Sequence, residues 1–120
     1  MPKELCYRDM VLPRQLNHHG SMFGGEVCSL IDKAAANLLR MKSSQKFVTL
    51  IIKSLKFMEP IHSGDLVTVF GEIVNVGKTS VTIEVEAIAE RSGQKVKVTK
   101  STLVFVAIDE SGDKTQVVLK

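Results

Sequence analysis

The sequence predicts an α+β domain in which one long helix packs against an antiparallel sheet of about five strands. Three observations carry that prediction. Residues 24–41 repeat their apolar positions with the period of a helix. From Phe47 onward the apolar period falls to two, as it does in a strand with one buried face. The breaks between the later runs are too short for the crossovers that parallel strands need, so the strands are antiparallel. One helix laid on one sheet buries the apolar side of each.

Residues 5–12 mix apolar and polar side chains and read as a short first strand. Pro13 ends it, because proline has no N–H to give to a ladder. The segment "RQLNHHGSMFGG" follows as a loop. In the helix, at about 100° per residue, Val27, Leu30, Ile31, Ala34, Ala35 and Leu38 fall on one face. Glu26, Ser29, Lys33, Asn37 and Arg40 fall on the other, and the polar "KSSQ" closes the element.

The β-branched run "FVTLIIKSLKFME" extends to Pro60 as the second strand. In "DLVTVFGEIVNV", Val67, Val69 and Ile73 alternate with Thr68, Phe70 and Glu72. "SVTIEVEAIAER" is the cleanest case, with Val81, Ile83, Val85, Ala87 and Ala89 set against Thr82, Glu84 and Glu86. "KVKVTKSTLVFVAID" begins by alternating and turns apolar on both faces over residues 103–108, which predicts contact with another subunit. "EPIHSGD", "NVGKT" and "RSGQ" supply the turns. The 120 residues fit a single domain, 1–120, with a C-terminal tail from about 110. A chain of this size buries only about two thirds of its unfolded surface, so self-association would enlarge the core.

Composition narrows the function. The charge of +3 comes from lysines scattered among glutamates, with no Trp and one Tyr, which speaks against a nucleic-acid surface. The same mild positive field suits a polyanionic small molecule. No apolar run approaches the roughly 20 residues of a membrane span, and the N-terminal segment has no apolar signal region. Cys6 and Cys28 read as reduced thiols of a cytoplasmic protein, Cys28 as a small core residue, and no zinc-ligand spacing is present.

One constellation stands out. Gly24 and Gly25 sit where the first helical turn begins, and its amides lack intrahelical acceptors and carry the positive end of the helix dipole. Without a Cβ they let a ligand approach the backbone, and those amides could hold a developing oxyanion. The same pair could equally serve a tight turn or close packing. Asp32 falls at the edge of the apolar stripe, beside Cys28, Ala35 and Leu39. A carboxylate there either solvates the edge, pairs with a lysine, or serves as a poorly hydrated base.

The pattern "NHHGSMFGGEVCSLID" resembles the loop and central helix of hotdog-fold acyl-CoA thioesterases. Within them it is most similar to the branch of broad-range bacterial and mammalian cytosolic acyl-CoA hydrolases. "FMEPIHSGDLVTVFGEIVNVGKTSVTIEVEA" resembles the second and third strands of that family, so the likeness covers nearly the whole chain. The resemblance implies a hotdog fold and hydrolysis of fatty acyl-CoA to free acid and CoA. It makes Asp32 the catalytic carboxylate, either as general base or as nucleophile. Asn17 would orient the water or the thioester from the opposing subunit, and the Gly24 and Gly25 amides would polarise the carbonyl.

By the same resemblance, Gly77, Lys78, Thr79 and Ser80 would lie near the CoA pantetheine and nucleotide. Lys78 suits a phosphate there, and a solvated turn equally well. Phe23 is expected beside the acyl channel. No metal or other cofactor is implied, since CoA belongs to the substrate. The expected assembly is a homo-oligomer, a dimer at least, with a trimer of dimers as the larger alternative. His18 and His19 depart from the family pattern and receive no catalytic role, and His62 reads as a turn residue. A dehydratase of the same fold would need a loop histidine, and a non-catalytic acyl-CoA binder would not need Asn17, Gly25 and Asp32 together.

Overall fold

In the computed structural model, which describes residues 3–120, the elements run β1 (Glu4–Met10), a single 3-10 turn (Pro13–Gln15), α1 (Gly24–Lys42), β2 (Lys46–Phe57), β3 (Leu66–Val76), β4 (Ser80–Arg91) and β5 (Gln94–Ile108). The strands form one antiparallel sheet in the order β1-β3-β4-β5-β2. Strand β2 therefore sits at an edge, and it joins the sheet only through β5. The helix lies across the sheet and touches all five strands.

All six residues expected on the apolar face of α1 are buried, and Leu39 joins them. They meet Val67, Val69, Val81, Ile83, Val85 and Leu103 from the inner face of the sheet. Gly71 lets the two layers close. A Cβ there would lie 2.9 Å from Cys6 Sγ and 3.3 Å from a Leu38 methyl, so any side chain would push the helix away. Asn37, on the outer face, donates from Nδ2 to the Cys6 carbonyl at 2.9 Å and ties α1 to β1.

Two strand ends and the burial of one helix residue differ from the sequence expectation. Strand β1 stops at Met10, although the Val11 amide still donates to the Asp65 carbonyl at 2.9 Å in the same register, and the 3-10 turn at Pro13 then leads the chain away. Strand β2 stops at Phe57, before Pro60. Cys28 is half-buried and lies outside the core cluster, since it shares the edge of the stripe with Asp32, one turn away.

Between β4 and β5, Ser92 (φ 52°) and Gly93 (φ 79°) both take the left-handed conformation of a two-residue hairpin turn. Ser54 (φ 55°) marks a bulge in β2, and the ladder to β5 slips there and again between Thr49 and Ile51. Each slip changes which face a side chain joins, so Val48, Leu50 and Ile51 are all exposed along this edge. On β5, Val106 is buried while Val104 and Ile108 are half-buried, as the two-sided apolar run predicts. The tail after β5 folds back over the end of the sheet, where the Val117 amide donates to the Lys78 carbonyl and that of Lys120 to Lys42.

Candidate active site

The helix start carries open donors. Phe23 caps α1 without a side-chain hydrogen bond, and the first helical bond runs from the Val27 amide to the Phe23 carbonyl at 3.0 Å. The amides of Gly24, Gly25 and Glu26 have no acceptor among the described residues. Neither Gly24 nor Gly25 has a positive φ. A Cβ on Gly25 would meet nothing within 4 Å, and one on Gly24 would make ordinary contact with the Phe57 ring at 3.6 Å. Within the chain, then, neither turn geometry nor packing calls for this glycine pair. An open pocket of about 280 Å³ lies against it, walled by Ser21, Met22, Gly24, Phe57, Pro60 and Ile61.

Asn17 organises the loop that leads into this helix start. Its Oδ1 accepts from the amides of His19 (2.8 Å) and Ser21 (3.2 Å), and its Nδ2 donates to Ser21 Oγ at 3.1 Å. One amide hydrogen of Nδ2 is left over. His18 and His19 are exposed, and their rings lie tilted at 45° to each other with centroids 3.8 Å apart. Phe23 is exposed as well and does not line the pocket.

Asp32 is half-buried two turns along α1. Its Oδ1 accepts the Thr49 hydroxyl at 2.7 Å, and Oδ2 has no hydrogen-bond partner among the described residues. Asp32 makes no ion pair among the described residues, so the lysine-pairing reading is not realised. Thr49, which sequence reasoning missed, is the partner of this candidate carboxylate. Beginning one turn farther along α1, a hollow of about 420 Å³ runs between the helix and β2; Ala36, Leu39, Phe47, Val48 and Phe105 line it with Arg40 and Lys46 at its rim, and neither Asp32 nor Thr49 does.

The parts predicted to act together are not together in one protomer. The helix rise puts Asp32 about 12 Å from its own Gly24. Gly77, Lys78 and Thr79 form the β3–β4 turn and Ser80 opens β4, at the end of the sheet away from the glycines. There, the Gly77 amide donates to the Ser80 carbonyl at 2.8 Å, and Lys78 is exposed without an ion pair among the described residues.

Other chemistry finds no support. Burial pushes the Cys6 thiol up, and the nearby Glu4 charge adds to it, which keeps the sulfur protonated and unreactive. No group of three His, Cys, Asp or Glu side chains converges among the described residues. No helix is long and apolar enough to cross a membrane.

The profile of the Thioesterase superfamily matches residues 19–96, a stretch that includes the helix and its glycine pair. The chain belongs to the thioesterase superfamily. A Haemophilus influenzae protein named as an uncharacterized acyl-CoA thioester hydrolase is 33% identical over 90% of this chain and 73% of its own. The hexameric hotdog-fold thioesterase of Campylobacter jejuni superposes with a TM-score of 0.90, at 31% identity over 96% of this chain and 90% of that one. The acyl-CoA hydrolase of Staphylococcus aureus, solved with butyryl coenzyme A, superposes with a TM-score of 0.86 at 28% identity, over 96% and 71% of the two chains. It was also solved as an asparagine-to-alanine and as an aspartate-to-alanine variant. The helix on a five-stranded antiparallel sheet is thus the hotdog fold that the resemblance implied.

Proposed function

We propose that this protein is an acyl-CoA thioester hydrolase whose site is completed between two protomers. Asp32 of one protomer and the Gly24 and Gly25 amides of its partner act on the same thioester. The observation that carries this reading is the separation of two half-sites in one chain. A carboxylate held by Thr49 lies one turn before an apolar hollow, and uncapped amides lie about 12 Å away against a separate open pocket. The two S. aureus variants change an asparagine and an aspartate that are fifteen positions apart, the spacing of Asn17 and Asp32 here.

In this mechanism the thioester carbonyl rests on the helix-start amides, which gain most when its oxygen becomes an anion. Asp32 Oδ2 takes the proton of the attacking water, and the free Nδ2 hydrogen of Asn17 orients that water. The tetrahedral intermediate collapses and CoA leaves as a thiolate. The acyl chain lies in the apolar hollow one turn beyond Asp32. A nucleotide held by Lys78 and its turn would come from a protomer other than the one supplying the glycines.

The exposed edge of β2, with Val48, Leu50 and Ile51 along it, gives a second copy a strand to pair with. A homo-oligomer, at least a dimer, follows, and a trimer of dimers matches the hexamers of the relatives. The reaction belongs in the cytoplasm, where thiols such as Cys6 and Cys28 stay reduced.

The test is thiol release from acetyl- through palmitoyl-CoA, followed with a thiol reagent, together with light scattering of the purified protein. Hydrolysis by an oligomer is expected. No release from any chain length would refute the hydrolase, and an active monomer would refute the shared site.

A further inference from the structure

An ion pair between a buried aspartate and a partly exposed arginine, with no part in the chemistry above, grips the wall of the pocket at the helix start. Asp65 is almost fully buried, at 2% exposure. Arg91 donates from Nε to Asp65 Oδ1 at 2.9 Å and from Nη2 to Oδ2 at 2.7 Å. The same Nη2 donates to the Pro60 carbonyl at 3.1 Å, and Asp65 Oδ2 also accepts the His62 amide at 2.8 Å. One guanidinium on the end of β4 therefore holds both ends of the turn at residues 60–65.

That turn carries the loop of the site. The Met22 amide donates to the Ile61 carbonyl at 2.7 Å, and Ser21 bridges to His62. Ser21 in turn is bound to Asn17 through backbone and side chain. Pro60, Ile61, Ser21 and Met22 are also walls of the pocket against Gly24. The contacts form one unbroken series from Arg91 through Asp65, the turn and Ser21 to Asn17 and the first amides of α1.

We propose that Asp65 and Arg91 are positioning residues for the hydrolytic site, setting where Asn17 and the helix-start amides stand relative to the substrate carbonyl. This rests on the hydrolase reading for its kinetic consequence, though not for its mechanical one. A planar fork with two parallel bonds fixes orientation as well as distance, which a lysine cannot do. Displacing a reacting group by about 1 Å costs on the order of 10²-fold in rate. The nucleotide turn at the other end of the sheet is untouched, so the loss falls on kcat and leaves KM.

The experiment compares Arg91→Ala, Arg91→Lys and the parent protein, with Ile83→Val in the core of β4 as a control for lost stability. All are assayed well below their melting temperatures. Arg91→Ala is expected to lower kcat by between about 10-fold and 100-fold with KM within about 2-fold. Millimolar guanidinium, entering where the Arg91 side chain is 41% exposed, should restore part of kcat. Arg91→Lys should fall between the two, and the control should lose melting temperature without losing kcat. Hydrogen exchange gives a readout that does not depend on activity: the amides of Ser21 and Met22 should exchange faster in Arg91→Ala. If the parent hydrolyses acyl-CoA and Arg91→Ala keeps its kcat, or if those amides stay protected, the positioning role is wrong. If the parent hydrolyses nothing while the amides lose protection, the hydrolase reading fails and the mechanical coupling stands.

Discussion

Replacing Gly25 by alanine separates the two reasons a glycine can occupy a helix start. An added Cβ meets no atom of the chain within 4 Å, and the backbone there is ordinary for an L-residue. Alanine is favoured over glycine by about 1 kcal/mol inside a helix, and a first-turn position should realise about half of that. For a domain of this size the gain corresponds to a rise in melting temperature of about 2 °C. Activity should move the other way, because the methyl group stands where the carbonyl oxygen must approach the amides. Loss of one oxyanion donor costs about 10²-fold to 10³-fold in kcat, and a donor that is crowded and still present should cost on the order of 10-fold or more. Scanning calorimetry and thiol-release kinetics on the same preparation read both effects. Unchanged kcat/KM would refute the view that the glycines open the backbone to substrate. A fall in melting temperature with loss of the oligomer would instead make Gly25 a packing residue at the subunit contact.

Asp32→Ala should lower kcat by about 10²-fold to 10⁴-fold, the usual worth of a positioned base. Its melting temperature should move little, since the carboxylate is half-buried and has one partner, Thr49; substantial residual turnover would remove Asp32 from the mechanism. Thr49→Val keeps the shape and removes the donor to Asp32 Oδ1, so kcat should fall about 10-fold while binding of CoA, measured calorimetrically, is unchanged. The third expectation concerns acid. Burial alone would raise the Asp65 carboxyl, but hydrogen bonds from Arg91 and the His62 amide, with the Arg91 charge, outweigh it and hold the group below the usual carboxylate range. A depressed folded value means its contribution is complete above about pH 4, the unfolded value, and is lost as pH falls through the folded one. Urea melts from pH 7 to pH 2 should show that loss in the parent and a flatter profile in Asp65→Asn. With Arg91 partly exposed, that variant should give up about 2 kcal/mol at neutral pH, less than a fully buried pair would.

Most of the fold was legible because burial imprints a period on sequence. The stripe of α1 from Val27 to Leu38 and the alternation of β4 each announce one buried face. Strand β2 was harder, since two bulges scramble its faces and an edge strand need not alternate. The order of strands in the sheet has no local signal at all. Asp32, Asn17 and the glycines stand out in the sequence as a candidate site because they crowd into one short stretch with a family pattern. Thr49 and the Asp65–Arg91 pair do not, because each depends on side chains meeting across 17 or 26 positions of chain. Cys28 was misplaced by a residue's width on the helix wheel, where the boundary between core and edge is narrow.

The sheet order also governs how this chain behaves while it is being made. Strand β2 is complete at Phe57, yet its partner β5 is not complete until Ile108. At roughly 5–20 residues per second, the ribosome leaves that strand waiting for about 3–10 s. During that time a β-branched segment with apolar side chains on both faces has nothing of its own to pair with. It is the stretch of the growing chain most prone to stray association, and the only charges along it are those of Lys46, Lys53 and Lys56.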